Sequence, residues 1–383
     1  MAEPDTLRVG LVLDDGLDKP DGVQQYILTI GSWLKKQGHI VHYLVGQTSR
    51  TDIDNVYSLS RNIRVRGNGN NMTIPLPTRS TSLSAVLEKE KFDVLHIQTP
   101  YSPFMGGRLI KLASNKTAIV GTFHILPNTR KEHIGTRLLG MYSLRSRKRI
   151  DTMLSVSSVA AKFAKTTYKL DSEVLPNVID YKRFADTEPL KKYDDTTKTI
   201  MFLGRLVPRK GCQVLLKSIV ELSKKQDIPK FRVVICGTGP LGSELKAFVR
   251  RHELEDIVEF VGFVEESVKP RYYASADITV FPSSGGESFG IVLLEAMASG
   301  KSVVLAGNNL GYGSVMSPQQ DLLFDPHDYE MLTSKLIKFL VDDESRKQYA
   351  QWGHIYTKDY DVNVVGPKLV SIYKEALRKR NGK

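Results

Sequence analysis

A chain of 383 residues, 41% apolar and 25% charged, is too rich in apolar side chains to be intrinsically disordered and long enough for two cores. Its two cysteines, Cys212 and Cys236, exclude a disulfide framework and lack metal-ligand spacing, which fits a reducing compartment. The formal net charge of +12 suits an anionic partner such as phosphate, nucleotide, anionic lipid or nucleic acid, and equally an ordinary basic surface.

The N-terminus, MAEPDTLRVGLVLDD, lacks the basic stretch and long apolar run of a signal peptide. No run approaches the roughly 20 apolar residues of a membrane span. The expectation is a cytoplasmic protein that meets a membrane only peripherally, at the inner face of the plasma membrane. The first half predicts strands at Leu7–Leu13, Ile40–Val45, Asp93–Ile97, Ala118–His124 and Thr152–Val156. Between and after them it predicts helices at Val23–Gln37, Leu83–Glu90, Gly106–Ala113, Thr136–Arg149 and Val159–Tyr168. The second half starts again, with strands at Thr199–Leu203, Arg232–Cys236, Val258–Val261, Ile278–Phe281 and Ser302–Ala306. Its helices are expected at Gln213–Lys225, Leu241–Arg251, Pro270–Ala274, Gly290–Ser299 and Tyr329–Val341. Continuous apolar strands alternating with helices read as parallel sheets covered on both faces. The fold class is therefore α/β, with two doubly wound, Rossmann-like domains. The expected division is 1–180, a polar linker at 181–198, a second domain at 199–363, and a C-terminal helix at 364–383 with a basic tail, packing back towards the first domain. Pro367 is expected in that helix's first turn.

Open α/β sheets bind ligands beyond the carboxyl ends of their strands, so the chemistry is sought there. Ser283–Gly300, SSGGESFGIVLLEAMASG, runs from a strand through a Gly-Gly loop into a helix. Such a junction aims unpaired N–H groups and the helix dipole at an anion. Glu287 stands before the helix and Glu295 eight residues on, roughly 12 Å along the axis. A lone glutamate in such places is more often a cap or a solvated side chain. Glu295, however, is flanked by Leu293, Leu294, Ala296 and Met297. Phe202–Gly211, FLGRLVPRKG, follows the first strand of the second half. Its Arg205 and Lys210 suit a diphosphate, by a bidentate fork and a point charge; a solvated basic loop is the plain alternative. Arg209 reads as a surface neighbour. In Lys19–Tyr26, Gly22 opens a helix whose amides can meet a phosphate, although a turn also explains it. Asp21 beside it would repel one. His124, in GTFHI, ends a first-domain strand. Gly237 lies in CGTGPL, an incomplete dinucleotide fingerprint.

The run Glu287-Ser-Phe-Gly-Ile-Val-Leu-Leu-Glu295 resembles the two-glutamate signature of retaining glycosyltransferases of family 4, and the resemblance covers almost the whole chain. Within that family it looks nearest to phosphatidylinositol mannosyltransferases. The resemblance implies the GT-B architecture, two Rossmann-like domains facing across a cleft, and transfer of a hexose from a nucleotide-sugar to an acceptor hydroxyl. It implies that Glu287 contacts donor-sugar hydroxyls and Glu295 the ribose. Ser288 joins the donor contacts, and Phe289, Gly290 and Ile291 offer backbone amides. Arg205 and Lys210 take the diphosphate, Gly22 the distal phosphate, and His124 the sugar or the reacting carbon. Gly237 flanks the nucleotide, and Phe263 and Val264 receive the base. Catalytic roles thus fall to His124, Glu287, Arg205 and Lys210. No Asp-x-Asp is placed to hold a divalent ion, so no metal and no other cofactor is expected.

The first choice of donor is GDP-mannose, and UDP-glucose or UDP-N-acetylglucosamine is the alternative. The acceptor is expected to be a sugar, a polyol or a glycolipid. Thr129–Ile150, with seven basic residues and one acid, can rest on an anionic membrane or simply form a solvated helix face. Lipid-acting members of the family carry a basic cluster on another first-domain helix, here the mixed-charge SLSAVLEKEK at Ser82–Lys91. Two other classes compete. A nicotinamide oxidoreductase would need a full Gly-x-Gly-x-x-Gly loop, which Gly237-Thr-Gly239 does not supply. A basic nucleotide- or nucleic-acid-binding protein would bind oligonucleotides in a salt-sensitive way. No nucleic-acid partner is expected.

Overall fold

The computed structural model describes residues 5–19, 21–67, 70–76, 78–98, 100–126 and 143–382. The chain forms two compact units, residues 1–178 with 362–383 and residues 179–361.

The first unit is built on a seven-stranded sheet. In chain order its strands are β1 (Arg8–Leu13), β2 (Ile40–Val45) and β3 (Val56–Ser58), and the antiparallel hairpin β4 (Asn62–Gly67) and β5 (Asn70–Pro75) stands apart from it. The sheet continues with β6 (Val94–Ile97), β7 (Ala118–Phe123), β8 (Thr152–Ser155) and β9 (Glu173–Val174). The order is β3-β2-β1-β6-β7-β8-β9, and every pairing is parallel. Runs such as AIVGTF in β7 are buried along their whole length, because helices cover both faces. The helix Gly22–Lys36 turns Tyr26, Ile27, Ile30, Trp33 and Leu34 into the core at helical spacing and ends on Lys35 and Lys36.

The last helix, Val362–Asn381, belongs to this unit. Its Gly366 lies against the Trp33 indole so closely that a Cβ would stand 2.7 Å from the ring. Trp33 Nε1–H donates to Asn363 Oδ1 at 3.0 Å, and Arg380 pairs with Asp151 at 2.7 Å. The helix starts two residues earlier than the sequence implies. Pro367 therefore lies inside it and removes one hydrogen bond instead of falling harmlessly in the first turn.

The second unit carries β10 (Lys198–Leu203), β11 (Phe231–Cys236), β12 (Val258–Gly262), β13 (Ile278–Phe281), β14 (Val303–Gly307) and β15 (Leu323–Phe324). They form an all-parallel sheet of order β12-β11-β10-β13-β14-β15. Strand order reverses between β10 and β13, so the loops leaving these two strands open a crevice at the switch point.

Residues 181–198, expected as a linker, are part of this unit. Asp180 caps a helix at Tyr181–Ala185, Phe184 and Tyr193 are buried, and the Tyr193 hydroxyl donates to Glu259 at 2.7 Å. Two isolated apolar anchors, Phe184 and Tyr193, need no periodicity, which is why pattern alone misses them. The chain leaves the first unit at Val178 and returns to it at Val362. The helices Leu310–Val315 and Asp343–Tyr356 and the hairpin β4–β5 are further elements absent from the sequence reading. Of the expected helix Thr136–Arg149, the turn Leu144–Arg147 is seen; residues 127–142, with most of the basic segment, lie outside the described residues.

Candidate active site

The two switch-point loops of the second unit are stitched together by backbone. After β10 the chain makes one tight turn at Pro208–Lys210 and reaches Gly211 at φ +73. A Cβ at Gly211 would sit 2.0 Å from the Pro282 carbonyl oxygen, so only glycine permits the approach. Ser284 N–H then donates to the Arg209 carbonyl at 2.9 Å.

That seam brings a carboxylate onto two cations. Glu287 Oε1 accepts from Arg209 Nη1 at 2.6 Å, from Lys210 Nζ at 2.9 Å and from Ser283 Oγ at 2.9 Å. The three charged side chains keep only 13–16% of their surface in water. Burial works against the Glu287 charge, but Lys210 and then Arg209 outweigh it and hold the carboxyl at about 2. Burial also pushes the Lys210 ammonium down, with Glu287 opposing and Arg209 and Arg205 assisting. Arg205 is half-buried and close enough to be felt by Lys210. Arg209, read from sequence as a surface neighbour, is thus a member of the cluster. The turn at Pro208–Lys210 is what faces its side chain inward, and helical or strand spacing cannot reveal that.

Beyond Glu287 the backbone reaches Gly290 at φ +117, where a Cβ would meet the Tyr312 ring at 2.6 Å. The helix Ile291–Ala298 starts there, and its first N–H groups have no partner within the helix. Ser288 is half-buried, and Phe289 is buried against Tyr360 with ring centroids 5.9 Å apart. Glu295 is buried one turn into the helix, with Oε1 2.7 Å from Lys269 Nζ and Oε2 accepting from Tyr273 Oη at 3.4 Å. Burial raises its pKa even so. Gly237, at φ +142 after β11, packs on the Gly204 carbonyl, which a Cβ would approach to 1.9 Å. After β12, Phe263 is 54% exposed and Val264 half-buried. All of these strand ends belong to one unit. Two fixed cations beside helix amides can hold a diphosphate, and a carboxylate among them can accept from hydroxyl groups.

His124 and Gly22 belong to the first unit. His124 follows β7 directly, is buried, and donates from Nε2–H to Gln98 Oε1 at 2.8 Å. Desolvation drives its pKa to about 3, so the ring is neutral at ordinary pH. Gln98, the group that fixes its tautomer, carries no motif that would have singled it out. Tyr26, one turn beyond Gly22, meets the His124 ring edge-on at 5.6 Å, which puts the start of that helix at the same edge of the sheet.

The chain resembles known proteins along its length. Residues 20–183 match the model described as "Glycosyltransferase Family 4", and residues 186–354 that described as "Glycosyl transferases group 1". A phosphatidyl-myo-inositol mannosyltransferase of Propionibacterium freudenreichii is 30% identical over 386 residues, 97% of this chain and 95% of that one. The protein of that name from Mycolicibacterium smegmatis is 29% identical over 371 residues, 96% and 94% of the two chains. Among solved structures, a glycosyltransferase from Rickettsia africae superposes with TM-score 0.74 at 18% identity, covering 98% of this chain and 99% of that one. Sucrose-phosphate synthase from Thermosynechococcus elongatus does so with TM-score 0.75 at 19% identity, covering 96% and 98%. These two likenesses bear on the fold, which is GT-B. With both family models matched and a relative at this identity across nearly its whole length, the chain belongs to glycosyltransferase family 4, among the phosphatidylinositol mannosyltransferase-like enzymes, and is a hexosyltransferase.

Proposed function

We propose that the enzyme transfers mannose from GDP-mannose to a hydroxyl of a membrane lipid or glycolipid, with retention of anomeric configuration and without a metal ion. The observation that carries the reading is the Glu287 carboxylate held at 2.6 and 2.9 Å by Arg209 and Lys210, at a sheet switch point. A nucleoside diphosphate leaving group needs fixed positive charge, and sugar hydroxyls need an acceptor; this cluster offers both. When a diphosphate takes over the cations, with Arg205 contributing, Glu287 is released to the sugar. In this reading Ser288, Phe289, Gly290 and Ile291 line the sugar and phosphates, Glu295 the ribose, and Gly237, Phe263 and Val264 the nucleoside. Gly22 and His124 keep the roles the family resemblance gives them. His124, neutral at working pH, serves as a hydrogen-bonding group and not as an acid.

The choice of mannose is supported by the names of the relatives. One of them, from Corynebacterium glutamicum and 25% identical over 326 residues, is named a GDP-mannose-dependent mannosyltransferase acting on a phosphatidylinositol monomannoside. Among the described residues no helix is long and apolar enough to cross a membrane. In this reading the enzyme reaches its lipid from the cytoplasmic side, through peripheral contact. The test is transfer from radiolabelled GDP-mannose, UDP-glucose and UDP-N-acetylglucosamine to vesicles containing phosphatidylinositol or glycolipid, with and without EDTA, followed by NMR of the product anomer. Transfer from uridine donors alone overturns the donor, inversion overturns the mechanism, and abolition by EDTA overturns metal independence.

A further inference from the structure

The second glutamate of the motif has a partner of its own. Lys269 and Glu295 are 5% and 3% exposed. Their ion pair, at 2.7 Å, lies inside the second unit between the helices Lys269–Ala274 and Ile291–Ala298. A buried ion pair adds little stability over apolar side chains of the same volume, so stability does not explain why charge stands here. The pair is also tethered. Lys269 Nζ reaches Glu266 at 2.8 Å, and Glu266 accepts from the guanidinium of Arg183 through its carbonyl and lies 3.5 Å from it through its carboxylate. Tyr273, one helical turn after Lys269, donates to the other oxygen of Glu295 at 3.4 Å.

Lys269 and Tyr273 thus hold the two oxygens of one carboxylate from the same helix. A carboxylate has about four acceptor sites, and these two donors fill two of them. The remaining pair matches in number the two O–H donors of a cis-diol. We propose that Lys269 is a positioning residue for nucleotide recognition: it keeps Glu295 ionised and oriented so that the ribose 2′- and 3′-hydroxyls donate to it. The inference rests on the assignment of Glu295 to the ribose made above, and adds the residue that makes a buried carboxylate fit for that task. Without Lys269, Glu295 takes up a proton and turns into a poor acceptor.

The test compares Kd for GDP with Kd for 2′,3′-dideoxy-GDP by calorimetry, with the UDP pair in parallel. Hydrogen bonds to a charged group set the expected wild-type preference for the ribose form at roughly 10- to 100-fold. In Lys269→Met the preference falls below about threefold, and Lys269→Arg, which keeps the charge, restores most of it. Each preference is a ratio measured on one variant, so a partly unfolded sample lowers both affinities and leaves the ratio unchanged. Lys269→Gln makes the same comparison should Lys269→Met not fold. A folded Lys269→Met or Lys269→Gln with the full wild-type preference overturns the proposal and leaves Glu295 as the ribose acid. A wild-type preference near one overturns the assignment of Glu295 itself, and the role of Lys269 with it.

Discussion

Replacing Glu287 by glutamine should separate the two tasks of the charged cluster. Holding this carboxyl at about 2 instead of the usual 4.5 is worth about 3 kcal/mol at neutral pH by linkage. Glutamine keeps the shape but leaves Arg209 and Lys210 facing each other without a counter-charge. Breaking a buried pair costs about 3–5 kcal/mol, and the residual exposure of 13–16% brings the expected loss to about 2–4 kcal/mol. For a unit of this size that lowers Tm by roughly 5–10 °C. GDP should shrink the deficit, since its diphosphate supplies the missing negative charge. Saturation at 100 times Kd adds about 2.7 kcal/mol to either protein, so the difference closes only by the variant's gain in affinity, about 1.4 kcal/mol for a tenfold tighter Kd. We expect Glu287→Gln to bind GDP as tightly as wild type or up to about tenfold tighter, and to lose at least about 100-fold in kcat. Thermal unfolding with and without GDP, calorimetry with GDP and steady-state transfer assays read the three quantities. A variant as stable as wild type that binds GDP more weakly would refute the reasoning, because Glu287 would then not be competing for the cations.

Other outcomes follow from the same geometry. Arg209→Met should weaken GDP binding roughly tenfold by calorimetry, whereas a surface arginine would leave it unchanged. Gly237→Ala drives a Cβ into the Gly204 carbonyl at a φ of +142 and should cost roughly 3 kcal/mol, read as a lower urea midpoint of the second unit. Trp33 and Trp352 fall in different units, so single-tryptophan variants report each unit separately. In the first unit, burial holds His96 and His124 at about 3 against 6.5 unfolded, so each loses stability as pH falls below 6.5, by about 1.4 kcal/mol per pH unit. Asp14, raised to about 6, works the opposite way between about 6 and 3.8 and offsets one of them. The first unit should therefore be about 2–3 kcal/mol less stable at pH 5 than at pH 7, with buried His39 and His42 adding to the loss. Glu287 begins to act on the second unit only below about 4.5, so Trp33 should report urea unfolding at a lower midpoint relative to pH 7 before Trp352 does.

Ten strands and most of the helices were legible because buried parallel strands are continuous apolar runs and helices between them keep a 3.6 period. Sparse anchoring leaves no such trace. Phe184 and Tyr193 pin a polar stretch without repeating, and β15 is two residues long. The helix Asp343–Tyr356 offers few apolar positions to count, with Arg346 turned inward to donate to the Phe339 carbonyl at 2.9 Å. The motif located Glu287, Arg205 and Lys210, but the contact between Arg209 and Glu287 depends on the path of a turn. The grip of Lys269 on Glu295 spans 26 residues of sequence and two helices, and no spacing rule connects them.

The return of the chain to its first unit has a consequence for synthesis. Val365, Leu369, Ile372, Tyr373 and Ala376 belong to the same core cluster as Val9, Ile30 and Val120. The Tyr373 hydroxyl lies 2.7 Å from the ring of His96. A ribosome that has released residues 1–178 has therefore made a unit with an open flank. The second unit, continuous in sequence, has all its parts first. The order of completion is the reverse of the order of translation, and the first unit waits, with apolar surface uncovered, until residues 362–383 emerge. A stop codon near residue 360 would spare the charged cluster at Glu287 and still leave a protein whose first unit has no closing helix.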